Sequence, residues 1–362
     1  MHFPGVNPGV TIGLTKSLKG GATTMTFYIG ADLDSRSALL AAVDATGEVI
    51  KEKRVRTQRD EVLRFIEPYR PDVSVAVEAT LTYYWFVDVL KEEGIDVHLA
   101  HPLMVKAISY AKIKTDSADA KTLAQLLRMG LLPEAYIYPK EKRAVRDLSR
   151  RRLRLSNQRA LYYREIQQHY HQIGQAGPSR STIRRLGPEV QTPFECETTR
   201  EYLQGIEKLT HAYDDLIQPI AKKLHREGLT DSRYPMLLAI PGIGETYGPI
   251  ILLESGDVSR FLDHRHYVSY ARLVPGIYQS GQTSRPGRNG NQGNKYLKNA
   301  FRQAAIFAVR YDPVIRRFYD RKLARVHRKS IAFAIVARKL ATAVFYILRD
   351  RRPFVRKKLF GE

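Results

Sequence analysis

The chain has 362 residues, and 59 Lys and Arg stand against 37 Asp and Glu, which gives a formal net charge of +22. This length exceeds one ordinary domain and predicts two or three. The basic excess predicts a polyanionic partner, and a basic protein that is merely soluble is the less favoured interpretation. The single cysteine, Cys196, excludes an intramolecular disulfide and a cysteine-rich zinc site and is typical of a reducing cytosol.

Two segments bear on targeting and membranes. Residues 1–24 are rich in Gly and lack an apolar core, so they predict a flexible extension rather than a secretory signal, with Met25 as a candidate start of the natural protein. Residues 331–348 are long and apolar, but Arg338 and Lys339 interrupt them. They predict a buried helix rather than a membrane span, and we expect a cytoplasmic protein without a membrane partner.

The N-terminal part alternates apolar and polar residues as sheet strands do. Its predicted elements are a strand, two strands of an antiparallel meander, a helix, a strand, a helix and a strand, at residues 25–33, 38–44, 47–55, 59–68, 72–79, 81–93 and 95–100. Asp32 falls near the end of the first strand, on the face opposite Ile29 and Ala31, and Glu78 falls at the end of the fourth. Acidic residues at strand ends are where an α/β fold places its chemistry.

Residues 111–128 predict a helix whose first turn carries Asp116 and Asp119, three residues apart and hence on one face. The same face continues with three apolar residues, Leu123, Leu126 and Leu127. Both acids are therefore expected to point inward, where a divalent metal between them would offset their repulsion and lost hydration. The alternative is that Asp116 interacts with the helix dipole while Asp119 pairs with Lys112 or Lys114.

Beyond residue 139 the pattern changes to long helices. Two apolar stripes at heptad-like steps predict an antiparallel helical hairpin or coiled coil, with a break at residues 174–193. The stripes comprise Val145, Leu148, Leu155, Tyr162, Ile166 and Ile173 in the first helix and Tyr202, Ile206, Leu209, Tyr213, Leu216, Ile220 and Leu224 in the second. Pro219 is expected to bend the second helix. A heptad pattern does not identify its partner, so packing within the chain and pairing of subunits both stay open.

Residues 237–253 read L-L-A-I-P-G-I-G-E-T-Y-G-P-I-I-L-L, two apolar segments around P-G-I-G. This pattern is typical of a helix-hairpin-helix, in which Gly242 and Gly244 let backbone N–H groups approach a DNA phosphate; a plain helical turn is the alternative. The Gly-, Asn- and Arg-rich residues 271–298 that follow indicate either disorder or a phosphate site.

The order of elements and acids resembles a known class of nucleases. Three hairpin strands, then alternating helices and strands with acids on the first strand, the fourth strand and a later helix, resemble the ribonuclease-H-like fold, and the final D-x-x-D pair resembles the Holliday-junction resolvase (RuvC-like) type. The sequence motifs Y-I-G-A-D, V-A-V-E-A and K-T-D-S-A-D-A-K resemble still more closely those of the acidic-tetrad (DEDD) insertion-sequence transposases, which are described as bridge-RNA-guided recombinases. The resemblance implies a tetrad of Asp32, Glu78, Asp116 and Asp119 that holds Mg²⁺ or Mn²⁺. Asp34 is the local rival of Asp32, and the family pattern prefers Asp32.

The family's second signature is about G-L-x-P, then S-G, then G-N before a basic helix. The chain is similar, with R-L-V-P at residues 272–275, S-G at residues 280–281 and G-N at residues 293–294. Two departures are Arg272, where a small residue is usual, and Asn291, where a basic residue is expected.

By this resemblance Ser280 is the nucleophile. Basic residues of the segment could stabilise negative charge on the reacting phosphate, namely Arg272, Arg285, Arg288 and Lys295. Ser284, also followed by a basic residue, is the local competitor. A further alternative is that the Ser280 hydroxyl only hydrogen-bonds the turn at Gly281.

The resemblance covers residues 25–350. Together with composition it predicts four parts: a flexible extension (1–24), a RuvC-like domain (25–138), a helical hairpin or coiled coil (139–228) and a helical C-terminal transposase domain (229–362). It implies a site-specific recombinase of a prokaryotic insertion sequence, and hence a protein associated with the nucleoid. The recombinase would act on donor and target DNA through a covalent phosphoserine. A guide RNA encoded by the element and a dimer that assembles to a tetramer on DNA are also implied. The alternatives are a metal-dependent Holliday-junction-type nuclease and a non-catalytic nucleic-acid-binding scaffold.

Overall fold

The computed structural model describes residues 26–108, 116–280, 283–287 and 292–361, with residues 276–280 and 283–287 described by their backbone. The chain divides into two compact units. Unit 1 comprises Met1–Lys140 with Gly290–Gln292, and unit 2 comprises Glu141–Asn289 with Gly293–Glu362. A separate hairpin domain at 139–228 stays a prediction.

Unit 1 is a five-stranded sheet with helices packed on it. The strands are β1 (Phe27–Leu33), β2 (Ser37–Val43), β3 (Val49–Arg56), β4 (Val73–Glu78) and β5 (Asp96–Ala100), in the order β3-β2-β1-β4-β5. The helices are α1 (Arg59–Ile66), α2 (Tyr83–Glu92), α3 (Pro102–Ile108) and α4 (Asp116–Arg128), with a 3-10 turn at Glu67–Tyr69. β1, β2 and β3 pair antiparallel, whereas β4 and β5 run parallel to β1. The predicted mixed α/β fold is confirmed, and α3 is an addition to it.

Strand alternation divides the sheet into two faces. Ile29, Ala31 and Val75 belong to one buried cluster with side chains of α1 and α2. On the other face Ala76 packs with the leucines of α4. Gly30 lies on this second face, and a Cβ built there would stand 1.8 Å from the backbone oxygen of Ala120. The absence of a side chain at Gly30 therefore lets α4 rest directly on β1.

The imidazole of His98 on β5 lies between two carboxylates of unit 1. Its Nδ1 is 2.8 Å from Glu134 Oε1, and its Nε2 is 3.0 Å from Asp96 Oδ2. The hydrogen bond with Glu134 raises the pKa of His98 from 6.5 to about 9, with Asp96 adding to the rise and partial burial opposing it. A folded-state pKa above the unfolded one means that charged His98 stabilises the folded protein fully below pH 6.5.

We therefore expect the free energy of unfolding of unit 1 to fall as the pH rises from 6.5 to about 9. Urea unfolding followed by fluorescence checks this, since Trp85 on α2 is the single tryptophan of the sequence. His98→Gln should remove most of the decline across this pH range. An equal decline in both proteins would contradict the role of His98.

Unit 2 is mainly helical, as predicted. Its helices are α5 (Lys140–Gln172, with its first residue in unit 1), α6 (Arg180–Leu186), α7 (Glu197–Leu229), α8 (Tyr234–Leu238), α9 (Gly248–Ser255), α10 (His264–Tyr270), α11 (Lys295–Tyr311), α12 (Pro313–Val326), α13 (Lys329–Asp350) and α14 (Arg356–Phe360). Short 3-10 turns occupy Gly187–Gln191 and Val258–Arg260. Strands β6 (Gly276–Ser280) and β7 (Thr283–Gly287) pair antiparallel. This hairpin lies where the sequence predicted disorder or a phosphate site, and it was not foreseen.

The buried faces of α5 and α7 differ from the predicted stripes. The buried residues are Arg143, Arg146, Ser149, Leu153, Tyr163, Ile166 and Tyr170 on α5 and Leu203, Ile206, Glu207, Thr210, Ile217, Leu224 and Gly228 on α7. Of the predicted stripes only Ile166, Ile206 and Leu224 are among them. In its first half α5 buries polar side chains, which a search for apolar residues overlooks. Pairing of subunits along the exposed stripe residues stays a prediction. α7 runs continuously through Pro219.

Helix α13 is, within the described ranges, the one helix long and apolar enough to cross a membrane. Its side chains contribute to the largest buried cluster of unit 2, with Val336, Leu340 and Phe345 fully buried. The apolar character of α13 thus serves packing, in agreement with the predicted buried helix.

Candidate active site

Asp32 and Glu78 lie on neighbouring parallel strands and on one face of the sheet. The register pairs Ala31 of β1 with Val77 of β4, and both of these residues pack on the α1 and α2 side. Because side chains alternate along a strand, Asp32 and Glu78 face the α4 side together. A metal-binding tetrad that includes Asp32 and Glu78 requires both side chains to lie on the same face of the sheet. Both residues are half-buried.

Helix α4 brings the other two acids to the same edge of the sheet. Lys121 Nζ lies 2.6 Å from Glu52 Oε2 and Arg54 Nη2 lies 2.6 Å from Asp116 Oδ2, so α4 runs opposite to β3. Two antiparallel pairings make β3 parallel to β1. The first turn of α4 therefore lies toward the carboxyl ends of β1 and β4, where Asp32 and Glu78 are.

The prediction that both helix acids point inward is wrong for Asp116. Its side chain is 57% exposed and pairs with Arg54, itself 50% exposed, whereas Asp119 is half-buried. The hydrogen bond with Asp116 raises the pKa of Arg54, and the charges of Asp116, Asp32 and Asp34 add to the rise. Asp116 starts the helix beyond the edge of the core, where a guanidinium can reach it.

Lys112 and Lys114, the alternative partners of Asp119, lie outside the described residues. The rival Asp34 follows the last residue of β1 and is exposed. The tetrad assignment, including the choice of Asp32 over Asp34, stays a prediction.

Four carboxylates at one edge form the oxygen-rich donor set that Mg²⁺ and Mn²⁺ prefer. Within residues 26–108, 116–280, 283–287 and 292–361, however, no three His, Cys, Asp or Glu side chains form a group that could hold a metal. Arg54 forms an ion pair with Asp116. The four carboxylates therefore fit a divalent metal in their chemistry, and in this structure one of them, Asp116, is paired with Arg54.

Ser280 is the last residue of β6 and pairs with Thr283, the first residue of β7. Its competitor Ser284 pairs with Gln279, one step further from residues 281–282. Arg285 lies on β7 opposite Tyr278, and Arg288 lies outside the described residues. The backbone therefore gives Ser280 and Ser284 distinct positions on the hairpin.

Gly293 and Asn294 of the second signature build the start of α11. Gly293 has a φ of +88°, and a Cβ there would stand 2.5 Å from the carbonyl oxygen of Tyr270. Asn294 accepts hydrogen bonds from the backbone N–H groups of Tyr296 and Leu297 and so caps α11. Lys295, the first residue of α11, is exposed, which leaves its ammonium accessible to a phosphate.

The buried carboxylate of Glu254 on α9 links the start of α11 to α5 through hydrogen bonds. Arg150 donates to it through Nε at 2.5 Å and Nη2 at 2.8 Å, and Asn294 donates through Nδ2 at 2.7 Å. Burial lowers the pKa of Arg150, but the hydrogen bonds and charge of Glu254 raise it well above its usual value. Sequence reasoning missed this network, although an acid inside the apolar run G-P-I-I-L-L-E-S was a usable signal.

Arg272 adopts a φ of +56°, a left-handed conformation that costs a non-glycine residue about 1–2 kcal/mol. This explains why glycine suits the position. The Arg272 Nε donates to the Gly293 carbonyl oxygen at 2.8 Å, and burial lowers the pKa of the guanidinium. Arg272 thus stabilises the backbone at Gly293 through this hydrogen bond. Contact of Arg272 with a phosphate stays a prediction.

The two glycines of P-G-I-G have different surroundings. Gly242 has a φ of +85°, and a Cβ there would stand 2.1 Å from the backbone oxygen of Ala304 on α11, so its absence of a side chain serves packing. Among the residues that the structure describes, a Cβ on Gly244 would meet no atom within 4 Å beyond its chain neighbours. The helix-hairpin-helix assignment stays a prediction, and Gly244 is the glycine with room for a ligand.

Two family models match successive parts of the chain. A DEDD transposase model of the IS110 type matches residues 29–174, and the model described as transposase IS116/IS110/IS902 family matches residues 234–320. The first match contains the four acids at the sheet edge, and the second contains β6, β7 and the start of α11.

Individual proteins show the same similarity. The chain is 28% identical over 290 residues to a pilin gene-inverting protein of Moraxella bovis, covering 77% of the chain and 80% of the relative. It is 24% identical over 289 residues to a probable family 20 transposase of Pseudomonas aeruginosa, covering 78% and 84%. A 43.6 kDa protein of insertion element IS110 from Streptomyces coelicolor is 33% identical over 116 residues, 32% of the chain and 29% of that protein. Both matched parts of the chain are thus similar to insertion-sequence transposases of the IS110/IS116 family; transposases act on DNA, and a DEDD domain implies the use of a divalent metal.

Proposed function

We propose that the chain is a site-specific DNA recombinase that cuts and rejoins DNA with four acids and a serine nucleophile. The acids are Asp32, Glu78, Asp116 and Asp119, and the nucleophile is Ser280. The observation that carries the proposal is the convergence of the four acids, from β1, β4 and the first turn of α4, on one edge of the sheet.

Asp32, Glu78, Asp119 and, once released by Arg54, Asp116 would hold Mg²⁺ or Mn²⁺ through carboxylate oxygens. The bound ion would stabilise negative charge on the phosphate under attack. The chain's own contribution is to deliver the acids on a rigid sheet edge. The backbone contact of α4 with Gly30 fixes this edge two residues before Asp32.

In the reaction that we propose, the Ser280 hydroxyl oxygen attacks the phosphorus, and its proton passes to a base. The bond from phosphorus to one sugar oxygen breaks, and that oxygen takes up a proton as the phosphoserine forms. A sugar hydroxyl then attacks the phosphoserine and gives its proton to a base, while the bond from phosphorus to the serine oxygen breaks. That oxygen takes up a proton, so that a phosphodiester is restored and the Ser280 hydroxyl is regenerated. This route conserves the energy of the bond, whereas hydrolysis by water and the tetrad alone loses it.

Arg272, Arg285, Arg288 and Lys295 are the basic residues that would stabilise the phosphate charge in this step. Guidance by an element-encoded RNA is part of the proposal on the strength of the family resemblance. The net charge of +22 is consistent with binding both DNA and RNA.

Exposed apolar residues on α7 support the proposed oligomer. Tyr202, Leu209 and Leu216 are 45%, 45% and 54% exposed and follow one another at steps of seven, so they lie on one side of the helix. Subunit pairing along this stripe would cover it. The proposal is a dimer that assembles to a tetramer on DNA.

Replacing Leu209 and Leu216 with Glu should dissociate the oligomer, because each change puts a charge into the covered stripe. Light scattering after size-exclusion chromatography measures the mass. Leu262→Glu, at an 83% exposed site outside the stripe, is the control and should leave the mass unchanged. An unchanged mass in the double variant would remove the stripe from the interface.

A gel of nicked and joined DNA products, with and without Mg²⁺, tests the proposed function. Metal-dependent cutting followed by rejoining is expected. Cutting without rejoining would favour a resolvase-like nuclease, and binding without cutting would favour a scaffold.

A further inference from the structure

Three arginines contact the buried Tyr163 in unit 2, and the charge of a fourth, Arg152, acts on one of them. We call these four the arginine cluster: Arg152, Arg159, Arg180 and Arg184. Arg184 Nε donates to the Tyr163 hydroxyl at 3.1 Å. The guanidinium carbons of Arg159 and Arg180 lie 6.0 and 5.8 Å from the centre of the Tyr163 ring. Arg152 lies seven residues before Arg159 on α5, and hence on the same side of the helix.

Negative charge compensates only part of the arginine cluster. Asp214 on α7 accepts from Arg159 and, at 2.5 Å, from Arg184. Arg152 and Arg180 have no ion-pair partner among the residues that the structure describes. Glu245, the acid closest in sequence to Thr246, lies 3.8 Å from His225. The cluster therefore holds four guanidinium charges against one carboxylate.

Arg152 is incompletely satisfied. Its Nη1 and Nη2 reach the carbonyl oxygen and the hydroxyl of Thr246 at 3.5 Å, the outer limit of a hydrogen bond, and its Nε is buried without a partner in the described part of the chain. Burial lowers the pKa of Arg152 and also that of Arg159, to which the charges of Arg184, Arg180 and Arg152 contribute. Crowded, partly dehydrated positive charge is the condition under which an anion binds strongly.

Beside this charge the surface has room for a ligand. A cavity of about 500 Å³ is lined by residues 238–247 and Phe307, and it includes Thr246, the residue that Arg152 contacts. Gly244 also lines it, and a Cβ built there would contact no described residue other than its chain neighbours within 4 Å. A phosphate could thus approach Arg152 and the backbone of this loop together.

We propose that the arginine cluster and the loop at Thr246 bind backbone phosphates of duplex DNA without reading its sequence. Arg152 and Arg159 are about 10 Å apart along α5, and Arg180 lies on a different helix, so one phosphate cannot neutralise them all. An extended polyanion can. The choice of duplex DNA rests on the proposed function, whose substrate is donor and target DNA.

Fluorescence anisotropy of the full-length protein with a labelled DNA duplex, in EDTA and at several salt concentrations, tests the site. Each lost phosphate contact lowers the slope of log affinity against log salt by about 0.9. The double variant Arg152→Gln and Arg180→Gln should lower this slope by about 1.8, the value for two lost contacts. Lys at both positions should largely preserve the slope. Arg151→Gln, an exposed neighbour on α5, is the control for general charge loss.

Arg180→Gln alone, at an exposed site, guards against a folding defect, and thermal unfolding checks every variant. A slope for Arg180→Gln and the double variant equal to that of Arg151→Gln would overturn the site. A loss of affinity for an RNA stem but not for the DNA duplex would overturn the DNA assignment. The binding assay in EDTA is independent of metal-dependent cutting. A chain that binds DNA through these arginines in EDTA but does not cut it when Mg²⁺ is supplied would therefore refute the proposed function and leave the binding site in place.

Discussion

Replacing Asp116 with Asn is expected to abolish DNA strand exchange while the protein still folds. The change removes a metal-binding charge with little change of shape, and activity should fall on the order of 100-fold or more, since even groups that only orient metal ligands are worth about 10- to 100-fold. Folding should survive because Asp116 and its partner Arg54 are both about half exposed, and exposed ion pairs contribute at most about 1 kcal/mol. The gel assay in Mg²⁺ measures the activity.

Arg54→Gln is the matched control, because it breaks the same ion pair and leaves the carboxylate in place. We expect this variant to retain strand exchange. Full activity of Asp116→Asn in Mg²⁺ would remove Asp116 from the metal site.

Replacing Gly30 with Ala is expected to destabilise unit 1 by about 3 kcal/mol, at the upper end of the usual cost of overpacking. The added Cβ would stand 1.8 Å from the Ala120 oxygen and 2.8 Å from the Ala124 nitrogen. Both atoms belong to the backbone of α4, so no side-chain rotation can relieve the contact. Urea unfolding followed by Trp85 fluorescence measures the loss.

Gly205→Ala provides the contrast. Gly205 is exposed inside α7, and a Cβ there would meet nothing within 4 Å, so this change should stabilise its helix by about 0.5–1 kcal/mol. Circular dichroism follows the helices of unit 2. If Gly30→Ala unfolded at the same urea concentration as the wild type, the close approach of α4 to β1 would be wrong.

The sheet of unit 1 was predictable because alternation is a local property. Ile29 and Ala31 against Gly30 and Asp32 already divided β1 between two faces, and the fold keeps that division. The common face of Asp32 and Glu78 also depends on the register of β1 against β4, which pairs Ala31 with Val77 and which alternation within one strand does not give. For Asp116 the helical period gave the correct side of the helix, but burial at a helix start depends on where the core ends and on Arg54, 62 residues away.

The helical unit was less predictable because its buried faces include polar groups. Glu254 is 3% exposed and is satisfied by Arg150 and Asn294, which are remote from it in the sequence. In α7 the pattern selected Tyr202 and Leu216, which are exposed, instead of Leu203 and Ile217, which are buried one position away. An apolar stripe shows that a surface will be covered, but not by which partner.

Covalent trapping on nicked DNA tests the central claim most directly, namely that Ser280 conserves the phosphodiester bond energy. The full-length protein is incubated with a nicked duplex and Mg²⁺, digested, and examined by mass spectrometry for a nucleotide joined through phosphate to a peptide. The expected result is a phosphoserine linkage at Ser280 that is absent in Ser280→Ala and still present in Ser284→Ala. Efficient cutting with no adduct, or an adduct on Ser284, would contradict the assignment of Ser280 as the nucleophile.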